Sequence, residues 1–219
     1  MKNVVLSAAL REIRGLWNQL LINLEGEQGD EWLQEFKRFL RKEECWIKAV
    51  EAKTETVKKI LEFVATTIIG IPVGRFVARD HFKVGTNKKA KDKVKIAWLS
   101  DSFKSWFLDK VEEQAGGDSV LRAHKLISAS TDVLIIAELG REATAETALA
   151  EVFALMKKQS KGEQGSLLVG GYANIFYIRD SVSVLRAVYV YWLDDGWHVY
   201  ASSVAVSDEW NAGYLVISR

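Results

Sequence analysis

The residue types that most often do chemistry in proteins are sparse in this sequence. The three histidines, His81, His124 and His198, lie far apart along the chain, whereas metal-binding histidines usually recur at a local spacing such as i, i+4. Cys45 is the single cysteine, so the chain offers no internal disulfide and no zinc site built from several thiolates. We therefore interpret the histidines as structural or surface residues and Cys45 as a packing residue, and we predict no metal and no cofactor.

Motifs and carboxylate pairs do not add a catalytic site. The chain contains no G-x-x-x-x-G-K-[ST] loop, no G-x-G-x-x-G turn, no G-x-S-x-G elbow and no H-E-x-x-H helix. Glu112-Glu113 and Asp194-Asp195 are adjacent pairs, and adjacent side chains do not converge on one substrate as acid–base catalysis requires. We predict a protein that is not an enzyme. A deep pocket with His124, Glu138 or Asp101 clustered in it would favour an enzyme instead.

A basic segment in the middle of the chain is the first candidate binding site. Residues 53–95 carry 11 Lys and Arg against 4 Asp and Glu, a net charge of +7, whereas residues 96–219 carry 11 against 16. Alternating apolar and basic residues predict a strand from Arg75 to Val84, which a loop joins to a strand from Val94 to Leu99. This cationic hairpin could bind phosphates, or it could be a solvated lysine loop that protects sheet edges. Its candidate anion-binding residues are Arg75, Arg79, Lys83, Lys88, Lys89, Lys91, Lys93 and Lys95.

The C-terminal part of the chain predicts an antiparallel sheet. Its strands are rich in β-branched and aromatic residues and cover Asn174 to Arg179, Val184 to Leu193 and Trp197 to Val206. We predict a two-residue turn at Asp195-Gly196 between the last two strands. This turn pairs Tyr191 with Tyr200 and sets the register of both strands.

Alternation along these two strands separates a valine-rich face from an aromatic one. The face suited to a core holds Val188, Val190, Trp192, Val199 and Ala201. The other face holds the second set of candidate binding residues, Tyr189, Tyr191, His198 and Tyr200. These side chains could stack nucleobases or form a protein-binding hot spot. Alternatively, a helix from Ala143 to Lys158 covers them as internal packing.

Size and composition indicate a globular protein that does not cross a membrane. The chain has 219 residues, of which 48% are hydrophobic, and one proline. Its longest apolar stretch, Ile60 to Val73, is shorter than the roughly 18–20 residues of a spanning helix and contains Glu62. The N-terminus lacks the apolar core of a signal peptide, so we expect a cytoplasmic protein.

Apolar residues at helical spacing predict a helical module at the N-terminus. One amphipathic helix covers Leu6 to Leu24, and a second begins at Asp30 and runs to Val50. Residues from Val57 to Ile68 are predicted to be helical too, either as a third helix or as a continuation of the second. We expect a helical module over residues 1–70 and a second module over 71–219.

The second module is predicted to contain helices as well as the sheet. One helix begins at Asp101, a second runs from Gly116 to Ile127, and a third runs from Ala143 to Lys158. Asp132 to Glu138 could be a buried strand or a short helix, because a brief apolar run does not distinguish them. The predicted fold class is α+β, with an N-terminal helical hairpin followed by an α+β module that ends in an antiparallel β-meander.

Several blocks of the sequence carry a family resemblance. They are Leu24-Glu25-Gly26 with Glu31 to Trp46, Phe76 to Phe82, Val94 to Leu108, Ile135 to Gly140, Gly171 to Arg179 and Trp192 to Ser202. On these blocks the chain resembles an uncharacterised family of small proteins that is abundant in genomes of the bacterial candidate phyla (Patescibacteria). The resemblance implies a cytoplasmic bacterial protein with these two modules, and it implies no activity. At Gly85-Thr86-Asn87 the chain departs from the acidic Asp-Thr-Ser of similar sequences.

The sequence thus favours a non-catalytic binding or scaffolding protein. Its expected partner is another macromolecule, in the first place another protein that contacts the exposed tryptophans and tyrosines. The alternative is sequence-nonspecific nucleic-acid binding through the basic hairpin of residues 75–95. No membrane partner is expected, and the oligomeric state is left open.

Overall fold

The computed structural model describes residues 17, 20–21, 23–26, 29–41, 59–85, 94–205 and 208–219. The chain divides into two units, Met1–Lys58 and Lys59–Arg219. In the first unit, helix α1 spans Gly29–Leu40 and has acidic residues in its first turn and basic residues in its last. This distribution of charge is the one that the helix dipole favours.

The N-terminal segments are helical where the structure describes them. Trp17, Leu20, Leu21, Asn23 and Leu24 of the first predicted helix are helical, and its other residues lie outside the described residues. Helix α1 begins one residue before the predicted cap, Asp30, and ends at Leu40. Residues 42–50 of the predicted second helix lie outside the described residues.

The second unit is built on a mixed β-sheet. Its strands are β1 Leu61–Ile71, β2 Gly74–Val77, β3 Ile96–Leu99, β4 Val111–Gln114, β5 Gly117–Leu126, β6 Asn174–Arg179, β7 Leu185–Leu193, β8 Gly196–Ser203 and β9 Leu215–Ser218. Over the described residues, seven of them form one sheet in the order β1-β5-β9-β6-β7-β8-β3, while β2 pairs with β4. Strand β9 is parallel to β6 and β3 is parallel to β8, whereas the other neighbours are antiparallel.

Helices cover both faces of this sheet. They are α2 Ala78–His81, α3 Asp101–Phe107, α4 Asp132–Glu138, α5 Glu142–Ala145 and α6 Leu149–Lys158. Helices α3 and α6 pack on the valine face, which we define by the buried residues Val188, Val190, Val199 and Ala201. Helices α4 and α5 pack on the opposite face, the tyrosine face, whose members include Tyr177, Tyr189, Tyr191 and Tyr200. The predicted α+β class is therefore confirmed.

The described helices are short. In this part of the chain no helix combines the length and the apolar character needed to cross a bilayer.

The first two predicted strands of the meander are confirmed, and the third ends at Ser203, before its predicted end. The predicted turn between β7 and β8 is wrong. Leu193 pairs with Gly196, so the two central residues of the turn are Asp194 and Asp195. Tyr191 consequently lies opposite His198 rather than Tyr200. The partner shifts by two residues, and because side chains alternate with a period of two, the predicted division into faces is retained.

Gly196 has a different role from the one that the turn motif predicts. Its φ of +138° is a conformation that side-chain-bearing residues rarely adopt, and a Cβ atom there would lie 2.7 Å from the carbonyl oxygen of Lys95. That carbonyl accepts a hydrogen bond from the backbone N–H of Trp197 at 2.7 Å. Glycine is therefore favoured by this backbone conformation and required by the close approach of the chain that leads into β3.

Two segments that were predicted to be helical are strands. The segment from Val57 to Ile68 contributes to β1, and Gly116 to Ile127 contributes to β5. These strands pair with each other over almost their whole length, from Leu61 opposite Leu126 to Ile71 opposite Gly117. β1 is rich in Val, Ile and Thr, which suit a strand. The pairing of β1 with β5 outweighs the helical spacing of the apolar residues in β1. The predicted module boundary at residue 70 thus falls inside β1.

The predicted basic hairpin does not form. Only Gly74–Val77 is extended in its first half, and a turn of helix, α2, follows. β2 pairs with β4, whereas β3 joins the large sheet beside β8, so the two halves of the predicted hairpin belong to different sheets. Of the four apolar residues that alternation assigns to one face of this segment, Phe76, Ala78 and Phe82 are buried, whereas Val84 is 56% exposed.

Two predicted helices are shorter than expected. The helix that begins at Asp101 ends at Phe107, and Val111 starts β4. The segment from Ala143 to Lys158 is divided into α5 and α6, because Thr147 donates its backbone N–H to Tyr177 of the sheet at 2.8 Å. Asp132 to Glu138, which the sequence left open, is helical.

Replacing Gly196 by Ala should destabilise the second unit by about 1–3 kcal/mol, because the new Cβ meets the Lys95 carbonyl in an unfavourable backbone conformation. Urea denaturation of the two proteins measures this difference in the free energy of unfolding. Gly70→Ala is the control, since a Cβ there has only the Asp118 side chain nearby, at 3.9 Å. Equal losses at the two positions would contradict the role assigned to Gly196.

Candidate functional site

The four predicted residues of the aromatic face lie together on adjacent strands. Tyr189 is directly opposite Tyr200, and Tyr191 is directly opposite His198. The rings of the first pair are stacked with centroids 5.3 Å apart, and those of the second pair are 6.1 Å apart. Tyr191 also stacks on Tyr200 at 5.2 Å. All four side chains are partly buried, so they form an aromatic ladder with one accessible side.

The cover of this ladder differs from the predicted one. Helix α6, at the end of the predicted Ala143 to Lys158 helix, packs on the valine face and not over the tyrosines. Trp210 instead contacts Tyr189 edge-to-face at 4.9 Å, and Tyr214 contacts Trp210 at 6.3 Å. Among the described residues, the aromatic cover contributed by Trp210 and Tyr214 lies at the Tyr189 end of the ladder.

The other end of the ladder lies near the β7–β8 turn. His198 Nε2 is 2.7 Å from Asp195 Oδ1, and this hydrogen bond lowers the pKa of the Asp195 carboxyl. Burial, together with a hydrogen bond to Tyr200, raises the pKa of the Tyr191 hydroxyl above its ordinary value. The Asp194-Asp195 pair is thus accounted for by the turn and by His198.

A buried carboxylate, Asp132, lies beside the covered end of the ladder. Only 3% of its surface is exposed. The Tyr177 hydroxyl donates to its Oδ1 at 2.8 Å and Trp210 Nε1 donates to the same oxygen at 2.6 Å. Burial raises the pKa of Asp132, and the two hydrogen bonds partly oppose that effect. Neither donor is a cation, so the charge of the ionised carboxylate is not neutralised by a partner among the described residues.

Asp132 forms one wall of a cavity of about 170 Å³. Aromatic walls come from Tyr189 and Trp210, and the remaining lining residues are Ser202, Ser203, Asp208 and Glu209. We call this the acidic aromatic pocket. The described residues of its lining include three carboxylates and no lysine, arginine or histidine. Among the residues that the structure describes, no group of His, Cys, Asp or Glu is arranged to hold a metal ion.

Sequence reasoning missed Asp132 and Trp210 as site residues. Asp132 looked like the first residue of a short apolar run, and Trp210 lies outside the predicted strands. Asp132 itself was an available signal of a site. It precedes apolar residues that become buried, and a carboxylate in such a place needs hydrogen-bond donors from elsewhere in the fold. Those donors, Tyr177 and Trp210, are 45 and 78 residues away in the chain.

The predicted anion-binding residues do not form one cationic surface where they are described. Arg75 pairs with Glu113 at 3.1 Å, Arg79 pairs with Asp109, and Lys83 lies 3.9 Å from Asp80. Lys95 contacts the Asp194 carbonyl and the ring of Trp192. Lys88, Lys89, Lys91 and Lys93 lie outside the described residues, as does Cys45.

The residues that would favour an enzyme are brought together only in part. His124 and Glu138 line the same cleft, whereas Asp101 pairs with Lys104 at the start of α3. Both carboxylate oxygens of Glu138 accept backbone N–H groups, from Ile60 at 2.9 Å and Leu61 at 3.0 Å. Nδ1 of His124 is buried and has no hydrogen-bond partner. These contacts do not form the linked acid–base pair that general catalysis uses.

Comparison of the chain with protein-family models, with curated proteins and with solved structures finds no match. The resemblance to the candidate-phyla family stays a prediction.

Replacing Asp132 by Asn should stabilise the protein at pH 7. The asparagine Oδ1 can accept both hydrogen bonds, so the substitution removes the charge and leaves Tyr177 and Trp210 satisfied. Because the folded pKa of Asp132 is raised above 3.8, the carboxyl stabilises the fold when it is protonated, and that contribution is lost as the pH rises through the folded pKa.

Urea denaturation at a series of pH values measures this effect. The advantage of the Asp132→Asn variant in unfolding free energy should be largest at neutral pH and should shrink as the pH falls towards about 4. An advantage that grew on acidification would contradict the assigned direction of the pKa shift.

Proposed function

We propose that this protein is a non-catalytic binding module that takes a basic segment of another protein. A lysine side chain of the partner enters the acidic aromatic pocket, and the flanking residues of the partner lie along the aromatic ladder. The observation that carries the proposal is the buried, uncompensated carboxylate of Asp132 in the wall of this pocket.

The electrostatics of the pocket favour a cationic ligand. Burying a carboxylate without a counter-ion costs stability, and the hydrogen bonds from Tyr177 and Trp210 offset only part of that cost. Oδ2 of Asp132 accepts no hydrogen bond from the described part of the chain. An ammonium group in the pocket would supply both the missing charge and a donor for this oxygen. Asp208 and Glu209 at the rim add to the attraction for a cation.

The aromatic walls favour an organic cation. The faces of Trp and Tyr rings attract an ammonium or guanidinium group that lies within about 6 Å of the ring centroid. Tyr189 and Trp210 supply such rings in the pocket itself. The stacked rings of Tyr200 and Tyr191 continue the same surface beyond it, and tyrosine combines apolar area with a polar tip that suits a protein interface. A macromolecular partner would contact both parts.

The described residues give less support to the alternative of nucleic-acid binding. Arg75, Arg79 and Lys83 lie beside carboxylates, which reduces the charge that they offer to phosphates. The aromatic ladder, which could stack bases, ends at a pocket of three carboxylates that would repel a phosphate backbone.

A lysine-containing peptide should bind to the pocket, and Asp132→Asn should weaken the binding by at least about 10-fold, because a charge-assisted hydrogen bond is lost. In NMR spectra, the indole N–H resonance of Trp210 reports peptide binding at Asp132 directly, since this N–H donates to Asp132 Oδ1. The resonance is assigned by its loss in Trp210→Phe. Titration should shift it saturably for the lysine peptide and not for the same peptide with norleucine in place of lysine.

The matched control is Asp101→Asn, which removes an exposed carboxylate at the start of α3. This variant should bind the peptide as the wild-type protein does. Equal affinities of wild type and Asp132→Asn, or equal binding of the lysine and norleucine peptides, would overturn the proposal. The Asn variant keeps both donors of the Asp132 site satisfied, so its loss of binding would not reflect loss of the fold.

A further inference from the structure

A second cleft lies at the other end of α4. It has a volume of about 270 Å³. One wall is the part of the tyrosine face formed by β1, β5 and β9, and the opposite wall is formed by the end of α4 together with α5. No residue lines both this cleft and the acidic aromatic pocket. The polar residues of its lining that matter here are Lys59, Arg122, His124, Glu138, Thr144 and Ser218.

Register brings three of these side chains to one patch of the sheet. Arg122 on β5 is directly opposite Ser218 on β9, and directly opposite side chains have Cβ atoms about 4.5–5.5 Å apart. His124 is two residues along β5 and therefore points to the same face as Arg122. Phe63 of β1 is opposite His124 on the other side of β5, and their rings are in edge contact at 5.7 Å.

Two of these residues have polar atoms that are buried without a partner. Ser218 is 1% exposed, and neither its Oγ nor Nδ1 of His124 has a hydrogen-bond partner. A buried polar group without a partner costs about 1–3 kcal/mol, so native proteins contain few of them. Two such atoms on neighbouring strands of one cleft indicate a ligand that supplies acceptors to both.

The charges in the cleft indicate the sign of that ligand. Lys59 and Arg122 form no ion pair with any of the described residues, whereas Arg219 is held by Glu151 at 3.0 Å. Among the described residues of the lining, Glu138 is the one carboxylate, and its two oxygens already accept hydrogen bonds from two backbone N–H groups. Lys59 and Arg122 therefore make the electrostatic potential of the cleft positive. The hydroxyls of Ser218 and Thr144 supply hydrogen-bond donors beside them.

We propose that this cleft binds a small molecule through an oxyanion, either a phosphate or a carboxylate group. The Arg122 guanidinium pairs with the anion, while Ser218 Oγ and Nδ1 of His124 donate hydrogen bonds to it. Lys59 neutralises the remaining charge. An oxyanion has several acceptor oxygens, so one group satisfies both orphaned atoms and the guanidinium fork together.

The charge state of His124 provides a specific readout. Burial lowers the pKa of His124, and the charge of Arg122 lowers it further; Lys59 acts in the same direction and Glu138 in the opposite one. An anion bound at Nδ1 should raise this pKa, because it stabilises the charged imidazolium. If Ser218 and His124 only filled space in the sheet, the pKa of His124 would not change when phosphate or acetate is added.

The test uses inorganic phosphate and acetate as probes, in separate titrations of the full chain at constant ionic strength. Histidine ring resonances in NMR follow both binding and the pKa of His124. We expect saturable binding of at least one probe with a raised pKa of His124. Binding of phosphate alone would identify a phosphate-bearing ligand, and binding of acetate alone would identify a carboxylate-bearing one.

Two substitutions and a control locate the site. Ser218→Ala removes an unsatisfied hydroxyl and so should preserve the fold, but it should weaken binding by roughly 10-fold. Arg122→Gln, at an exposed side chain, should weaken it by roughly 10- to 100-fold. Arg75→Gln, which removes an exposed arginine of β2 that pairs with Glu113, should leave binding unchanged. The proposal is overturned if neither probe binds saturably, or if both substitutions leave the affinity as in Arg75→Gln.

Discussion

Helix α4 is held on the sheet by the two carboxylates at its ends. Asp132 in its first turn accepts hydrogen bonds from Tyr177 and Trp210, and Glu138 in its last turn accepts the backbone N–H groups of Ile60 and Leu61. A helix of seven residues is not stable by itself in water, so its position depends on such contacts and on the burial of Ile135. These side-chain bonds decide how much of the tyrosine face is covered.

Because α4 lies across this face, two cavities remain at its ends, and they differ in charge. The cavity beside Asp132 is lined by carboxylates and aromatic rings. The cleft beside Glu138 is lined by Lys59, Arg122 and Arg219, and its one carboxylate is bonded to the backbone. The same helix thus separates a region suited to cations from a region suited to anions, although both open from a single sheet face.

Both cavities contain groups that lower the stability of the fold. Asp132 is a carboxylate buried without a cation, and the orphaned atoms of Ser218 and His124 lack hydrogen-bond partners. The valine face, by contrast, is filled by apolar side chains, and the glutamates near it are bonded: Glu112 accepts the first backbone N–H groups of α6, from Leu149 and Ala150. A third buried atom without a partner, Ser130 Oγ, lies outside the lining of both cavities. Groups that oppose stability and cluster in a cavity are expected where a protein binds something.

The amino-acid sequence is enough to show which side chains share a face of β7 and β8, because alternation is a local property of a strand. For that reason Tyr189, Tyr191, His198 and Tyr200 were grouped correctly even though the register was displaced by two residues. It also determined the segments of the meander and the α+β class. The local pattern does not identify β1 and β5 as strands, because their apolar residues fit a helix and a strand alike. The pairing of the two strands with each other decides the outcome.

What lies over the tyrosine face, and which polar groups meet there, follows from the folded arrangement of distant segments. Asp132 meets Tyr177 and Trp210, and Arg122 meets Ser218, across separations in sequence that no local period encodes. The pairing of distant strands and the placement of α4 depend on burial and hydrogen bonding summed over the whole unit. The ladder of tyrosines was therefore visible in the sequence, whereas the two cavities of the same sheet face were not.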